Sequence, residues 1–204
     1  MRTFLAILLG LPVCALAQTT TTVTSEAQLQ TAIANAAPGD TIVLGADISL
    51  TADLPAIAAD LRFDGAGHTL SGNNQFRGLV VGNLSAGPVP VNVTIQNVSI
   101  VNTVAHGGDG GPGAQGGGGG GGLGGALFVA ASAQVTLSNV NVSAAQAIGG
   151  NGGAGGVAGA NNGGGGGMGG DGGDGGGGTL GGGGGGAGAG AIGGTNSAGG
   201  TVRV

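Results

Sequence analysis

The sequence predicts an all-β fold, a short parallel β-helix that opens with one capping helix and runs into a glycine-rich C-terminal segment. Two octets, Val93 to Ile100 and Val135 to Val142, share the pattern V-T-[IL]-x-N-V-x-[IV] and start 42 residues apart. Such internal repetition marks a solenoid, in which each unit buries its apolar face only against its neighbours. Short β-branched or aliphatic runs separated by Gly, Asp and Asn recur from Thr41 to Val142, the pattern of brief strands joined by turns. Glycine supplies 55 of 204 residues, concentrated in a tract from Gly107 to Gly125 and a longer one from Gly149 to Gly200. With no side chain and the largest backbone entropy to lose, glycine excludes site chemistry from much of the chain.

The first residues read as a secretory signal peptide: Arg2 gives a positive start, Phe4 to Val13 an apolar stretch, and Ala15-Leu16-Ala17 a cleavage site. Lipidation at Cys14 is the lesser alternative, since Val13 is bulky for such a site and Pro12 is awkward. Cleavage after Ala17 removes the only cysteine, so the mature chain has no disulfide, thiol nucleophile or thiolate metal site. No later apolar run approaches the roughly 20 residues of a spanning helix. Tyrosine and tryptophan are absent, so the aromatic girdles of an outer-membrane barrel are missing too. Charged residues are only 6%, lysine is absent, and the net charge of -5 becomes -6 when Arg2 leaves. A weakly acidic chain without a basic patch excludes nucleic-acid binding by phosphate neutralisation.

Ser25 with Gln28 three residues on forms a capping box, and Leu29, Ala32, Ile33 and Ala36 follow at helical spacing until Pro38-Gly39 stops the run. The period then changes. Strands are predicted at Thr41 to Leu44, Ile48 to Leu50, Leu61 to Phe63, Gly78 to Val81, Val91 to Ile95 and Ala126 to Val129, besides the octets. Asp40, Asp47, Asp53, Asp60 and Asp64 flank these runs, where Asx turns use them. Asn97 and Asn139 hold equivalent bends, where stacked amides form an asparagine ladder or two ordinary turns. The first glycine tract reads as a loop bulging from a coil. For the second, a flexible and disordered segment is expected, with packed polyglycine helices or extended glycine-rich coils as the alternative.

The residues also carry a resemblance. Val23 to Ile33, followed by Pro38-Gly39-Asp40-Thr41-Ile42-Val43-Leu44, resembles the cap and first coil of right-handed parallel β-helices of the pectin-lyase-like superfamily. Phe63 to Gly72 is similar to early coils of that superfamily, and Gly124 to Val129 with Val135-Thr136-Leu137 to coils of bacterial autotransporter passengers. The resemblance implies a right-handed β-helix over 18–148 with the loop at 107–125, after the leader 1–17 and before the glycine-rich segment 149–204. It does not fix an activity, because many binding and structural proteins share this coil.

A polysaccharide-cleaving member would need carboxylates for acid catalysis or calcium, and Lys or Arg to move a proton or hold a uronate. The available residues are Asp60, Arg62, Asp64, His68 and Arg77, with Arg62 and Asp64 able to share one strand face. The clustered Asp-Asp, Gly-His-Gly and Arg-Ile-Lys-type elements of the superfamily's hydrolases are missing, so these residues read as turn or surface groups. Gly166 to Asp171 and Gly169 to Asp174 match the start of the calcium β-roll repeat, but Gly173 and Gly176 replace its core aliphatic residue. That leaves Asp171 and Asp174 as weak calcium candidates. A phosphate loop is excluded for want of lysine. No catalytic, cofactor or metal residue is therefore assigned. The expected function is an exported structural or adhesive cell-surface protein, meeting polysaccharide or protein or associating end to end; a carbohydrate-active β-helix enzyme is the alternative.

Overall fold

The computed structural model describes residues 18–82, 90–156, 163–168 and 171–172. The signal-peptide reading of 1–17 lies outside them. The fold is all-β with one short helix, in the order β1 (Thr20–Val23), α1 (Glu26–Ala34), β2 (Asp40–Leu44), β3 (Ile48–Ser49), β4 (Leu61–Asp64) and β5 (Thr69–Ser71). It continues through β6 (Leu79–Val81), β7 (Val91–Val101), β8 (Val104–His106), β9 (Leu127–Val129), β10 (Ala133–Ser143) and β11 (Gln146–Ile148). Every pairing between these strands is parallel.

One stack runs β1-β2-β4-β7-β10, and β7 and β10 bend midway to join a second stack with β3 and β5. Further pairs, β6 with β9 and β8 with β11, complete an arrangement that fits a β-helix. Alternation sets the register. Ile42, Phe63, Ile95 and Leu137 are successive partners on the inward side, as are Ile48, Leu70, Ile100 and Val142 on the second stack. Phe63 and its flanking partners are buried, so a one-residue slip would turn a whole apolar row into water.

The octet repeat proves to be β7 lying on β10, with Val93 against Val135 and Ile100 against Val142. Between the two halves, Asn97 and Asn139 adopt left-handed φ values of 51° and 53°, which turn the chain from one stack to the next. The Asn139 Nδ2 donates to Asn97 Oδ1 at 3.0 Å, and Asn97 Nδ2 donates to Asp64 Oδ1 at 3.1 Å. The ladder is real and three members long, with an aspartate as its first step.

Helix α1 starts where the capping box places it: the Ser25 Oγ accepts from the Gln28 amide at 3.4 Å. The reciprocal arm reaches one residue further back, Gln28 Oε1 accepting from the Thr24 N–H at 2.8 Å. Leu29 and Ile33 are buried in the core, so the helix lids the stack end beside β1. The Glu26 carboxylate fastens it by accepting the Thr51 and Ala52 N–H groups.

Four strands, β1, β5, β8 and β11, were not predicted. They are three or four residues long and set by pairing with a neighbour, which local propensity does not report. The aspartates correct a second expectation. Only Asp64 makes the local Asx turn, accepting from the Ala66 N–H two residues on. Asp40, Asp47, Asp53 and Asp60 accept N–H groups of Thr19, Thr69, Arg77 and Asn92, 21 to 32 residues away, and so fasten one rung to the next, Asp40 also accepting the Ala37 N–H of its own turn.

The first glycine tract leaves the stack after β8 and rejoins it at β9. Its hydrogen bonds fall on every third residue: Gly107, Gly110 and Gly113 donate to the carbonyls of Ile148, Asn151 and Ala154. Gly150, Gly153 and Gly156 donate to Gly120, Gly117 and Ala114, while Gly108 and Gly111 donate to Gly167 and Gly164, at 2.7 to 3.0 Å throughout. A three-residue step is that of the extended polyproline II helix, whose backbone groups point outward to neighbours. A Cβ on Gly117 would meet the Gly164 carbonyl well inside van der Waals contact, so these chains pack only without side chains. The described residues of the second tract thus take hydrogen-bonded places beside the first. The rest of 149–204, including Asp174, lies outside the described residues.

Candidate binding face

The outward side of the first stack carries two rows. Thr20, Thr41, Arg62, Thr94 and Thr136 are successive strand partners in one; Thr22, Val43, Asp64, Gln96 and Ser138 form the other. Parallel rungs repeat about every 4.8 Å, so the face presents hydroxyl, guanidinium, carboxylate and amide groups at regular intervals along the stack. Alternation makes this unavoidable: fixing Ile42, Phe63 and Ile95 inward forces their neighbours out.

Arg62 and Asp64 share this face as their spacing predicts, with Arg62 Nη2 3.8 Å from Asp64 Oδ2. Arg62 is about half exposed and an exposed pair of this kind contributes little to stability. It is available to a partner. Asp64 is crowded by donors: Gln96 Nε2 at 2.6 Å, Asn97 Nδ2 at 3.1 Å and the Ala66 N–H at 2.9 Å. Burial pushes its pKa up, but those hydrogen bonds and Arg62 outweigh it and hold the carboxyl below the ordinary aspartate value. A general acid needs the opposite shift, towards the working pH.

The other candidates are dispersed. His68 lies on a different turn, its Nδ1 3.2 Å from Asp47 Oδ1, and the Asp47 pKa is lowered by the Thr69 N–H first and by the His68 contact next. Asp60 serves the Asn92 N–H. Arg77 is buried, 4% exposed, and its Nη2 donates to the Met168 carbonyl at 2.6 Å, tying the stack to the second glycine tract. Burial lowers the Arg77 pKa, with Asp53 opposing. Asp171 accepts from the Asp109 N–H at 2.7 Å, and Asp109 accepts from the Asn151 N–H at 2.6 Å, the same stapling use seen in the stack. Among the described residues no three His, Cys, Asp or Glu side chains converge as a metal set. No helix among them is long and apolar enough to cross a membrane.

A second surface feature lies at the helix end, an open groove of about 660 Å3 between β1 and α1, with Thr19, Thr22, Gln28, Thr31, Asn35 and Asp40 among its polar lining and Val23, Ala27 and Ala32 among its apolar lining. Sequence reasoning missed it because β1 was not recognised as a strand. The run of four threonines before Val23 was the available signal.

A protein-family profile described as "Putative pectate lyase-like adhesive domain" matches residues 20–149, from the first residue of β1 to the residue after β11. No curated protein and no solved structure matches the chain. The family match spans both stacks, the outward face and the first glycine tract, well over half of the sequence. By that match the chain belongs to the family of pectate lyase-like adhesive domains.

Proposed function

We propose that this is an exported adhesive or structural protein of the bacterial cell surface, a short right-handed parallel β-helix comparable to the opening part of an autotransporter passenger. In this reading residues 1–17 are a cleaved signal peptide. Residues 18–148 are the β-helix with 107–125 as its loop, and 149–204 a glycine-rich segment. The partner is a surface or extracellular polysaccharide or protein, bound along the outward face.

The regular face of Thr41, Arg62, Thr94 and Thr136 carries the proposal, supported by the adhesive description of the family. Evenly spaced hydroxyls around one half-exposed guanidinium suit recognition of a long polar chain, while a carboxyl held ionised at Asp64 does not suit acid catalysis. The test is adsorption of purified protein to immobilised polysaccharides and to bacterial cells. Replacing Arg62, Thr94 and Thr136 together by alanine is expected to weaken binding about tenfold or more, from three lost hydrogen bonds of about 0.5–1.5 kcal/mol each, with melting little changed. Unchanged adsorption, or release of reducing or unsaturated sugar from pectin by the unmodified protein, would overturn it.

A further inference from the structure

The rung made by β10 and β11 has no strand on its outer edge among the described residues. Its inward row is open: Leu137 is 52% exposed and Val142 50%, whereas their partners Ile95 and Ile100 in the rung beneath are buried. Between Asp109 and Asp171 there is no charged residue at all. Exposed edges are ordinarily guarded by charge, proline or cover, and this one has no charge to guard it.

The sequence holds a segment of matching pattern. Ala126 to Leu137, A-L-F-V-A-A-S-A-Q-V-T-L, aligns without a gap with Ala191 to Val202, A-I-G-G-T-N-S-A-G-G-T-V. Ala126, Ser132, Ala133 and Thr136 recur as Ala191, Ser197, Ala198 and Thr201, and Leu127 and Leu137 are answered by Ile192 and Val202. Each segment follows a glycine tract that follows a strand: β8 and Gly107 to Gly125 before the first, β11 and the tract from Gly149 before the second. In the sequence, a strand followed by a glycine tract is thus followed twice by a segment of this pattern.

We propose that the outer edge of β9 and β10 is a docking surface for residues 191–202 of the same chain, Thr201 lying against Thr136 and Val202 on Leu137. The inference rests on the stacked-coil reading of the fold. Thr201 then extends the outward threonine row, and Val202 covers the most exposed aliphatic side chain of the open rung. The 18 residues between Gly172 and Ala191 reach up to about 60 Å when extended, ample for the return. Tethering also raises the segment's effective concentration to about the millimolar range, which favours it over a second copy at micromolar protein.

The test is thiol bridging in the full chain with Cys14→Ser, using dibromobimane, which fluoresces only when it joins two neighbouring thiols. Thr136→Cys with Thr201→Cys should give a monomeric bridged product, on the order of a hundredfold faster than the out-of-place pair Thr136→Cys with Thr195→Cys. Thr94→Cys with Thr136→Cys, partners in adjacent strands, reports on the stack itself. If that pair bridges while Thr136 with Thr201 does not, the docking proposal is wrong and the stack stands; if neither bridges, the stack reading has failed. A bridged dimer from Thr136 and Thr201 overturns the proposal in favour of a second copy on the edge.

Discussion

The β stack and the glycine array solve one problem by opposite means. Both are extended chains laid side by side, each held by its neighbours rather than by itself. In the stack, rows of side chains such as Ile42, Phe63 and Ile95 fill the interior, and the backbone bonds come with the parallel ladder. In the array nothing fills the space between chains except backbone, and a single Cβ at Gly110, Gly117 or Gly163 would collide with a neighbouring carbonyl. The stack tolerates variation on its outer rows and none inside. The array reverses this, since composition rather than pattern is what it requires. Arg77 joins the two, a buried cation rooted in the stack and bonded to the carbonyl of Met168.

The sharpest way to break this comparison is to remove the largest side chain of the stack. Phe63→Ala should cost about 3–5 kcal/mol and lower the thermal midpoint strongly in calorimetry, because the row on either side cannot collapse into the space. A melting curve within a few degrees of the original would mean the core is not carried by that row. The array should respond to the opposite change. Gly117→Ala is expected to cost about 1–3 kcal/mol of overpacking and speed amide hydrogen exchange in 107–120 and 149–156, with the stack's exchange unaltered. Gly118→Ala, where an added Cβ meets nothing within 4 Å, should leave exchange unchanged and serves as the matched control.

Two smaller effects sharpen the account of how rungs are fastened. Asn97→Ala removes the middle of the Asp64-Asn97-Asn139 ladder and places alanine at a left-handed φ of 51°, for a loss of about 1–2 kcal/mol by chemical denaturation. Asn139→Ala, at the ladder's end, should cost less. The last prediction concerns acid. The Asp40, Asp47 and Asp64 carboxyls are all held below the ordinary aspartate value of about 3.9, chiefly through donated N–H and side-chain hydrogen bonds. A depressed folded-state pKa gives stability that is present above the unfolded pKa and lost as pH falls through the folded one. Stability should therefore be flat from neutral pH to about 5 and decline below about 4. Asp47→Asn should make that decline shallower; an unchanged slope would show that the Thr69 contact does not matter.

Much of the stack was legible beforehand because its signals are local. The capping box at Ser25 and Gln28 placed α1, and alternation placed β2, β4, β6 and β9 within a residue or two. The octets gave the register of β10 on β7 without any coordinates. What escaped notice was short or borrowed. Strand β5 buries one residue, Leu70, and β11 buries none, so neither advertises itself in sequence and each exists because a neighbour offers a ladder. The face was half legible: Arg62 and Asp64 were paired by spacing two apart, but the threonine row appears only when residues 20, 41, 94 and 136 are brought into line. The aspartates were recognised as turn residues and their partners were not, because a carboxylate near a turn looks the same whether it caps its own turn or the one beneath.

By itself, then, the sequence determined periodicity: which residues alternate, which positions bend, where glycine forbids chemistry, and the absence of any lysine. These are properties of one residue and its near neighbours. Beyond the octet register, only the tertiary structure decided which distant residues touch: that Asp40 reaches Thr19, that Asn97 and Asn139 form a ladder rather than two separate turns, and that an outward row of threonines runs beside Arg62. It also decided that the described glycines interlock. The physical reason is that a backbone N–H has no identity in sequence. Every glycine offers the same donor and acceptor, and only the packing of extended segments side by side assigns them partners.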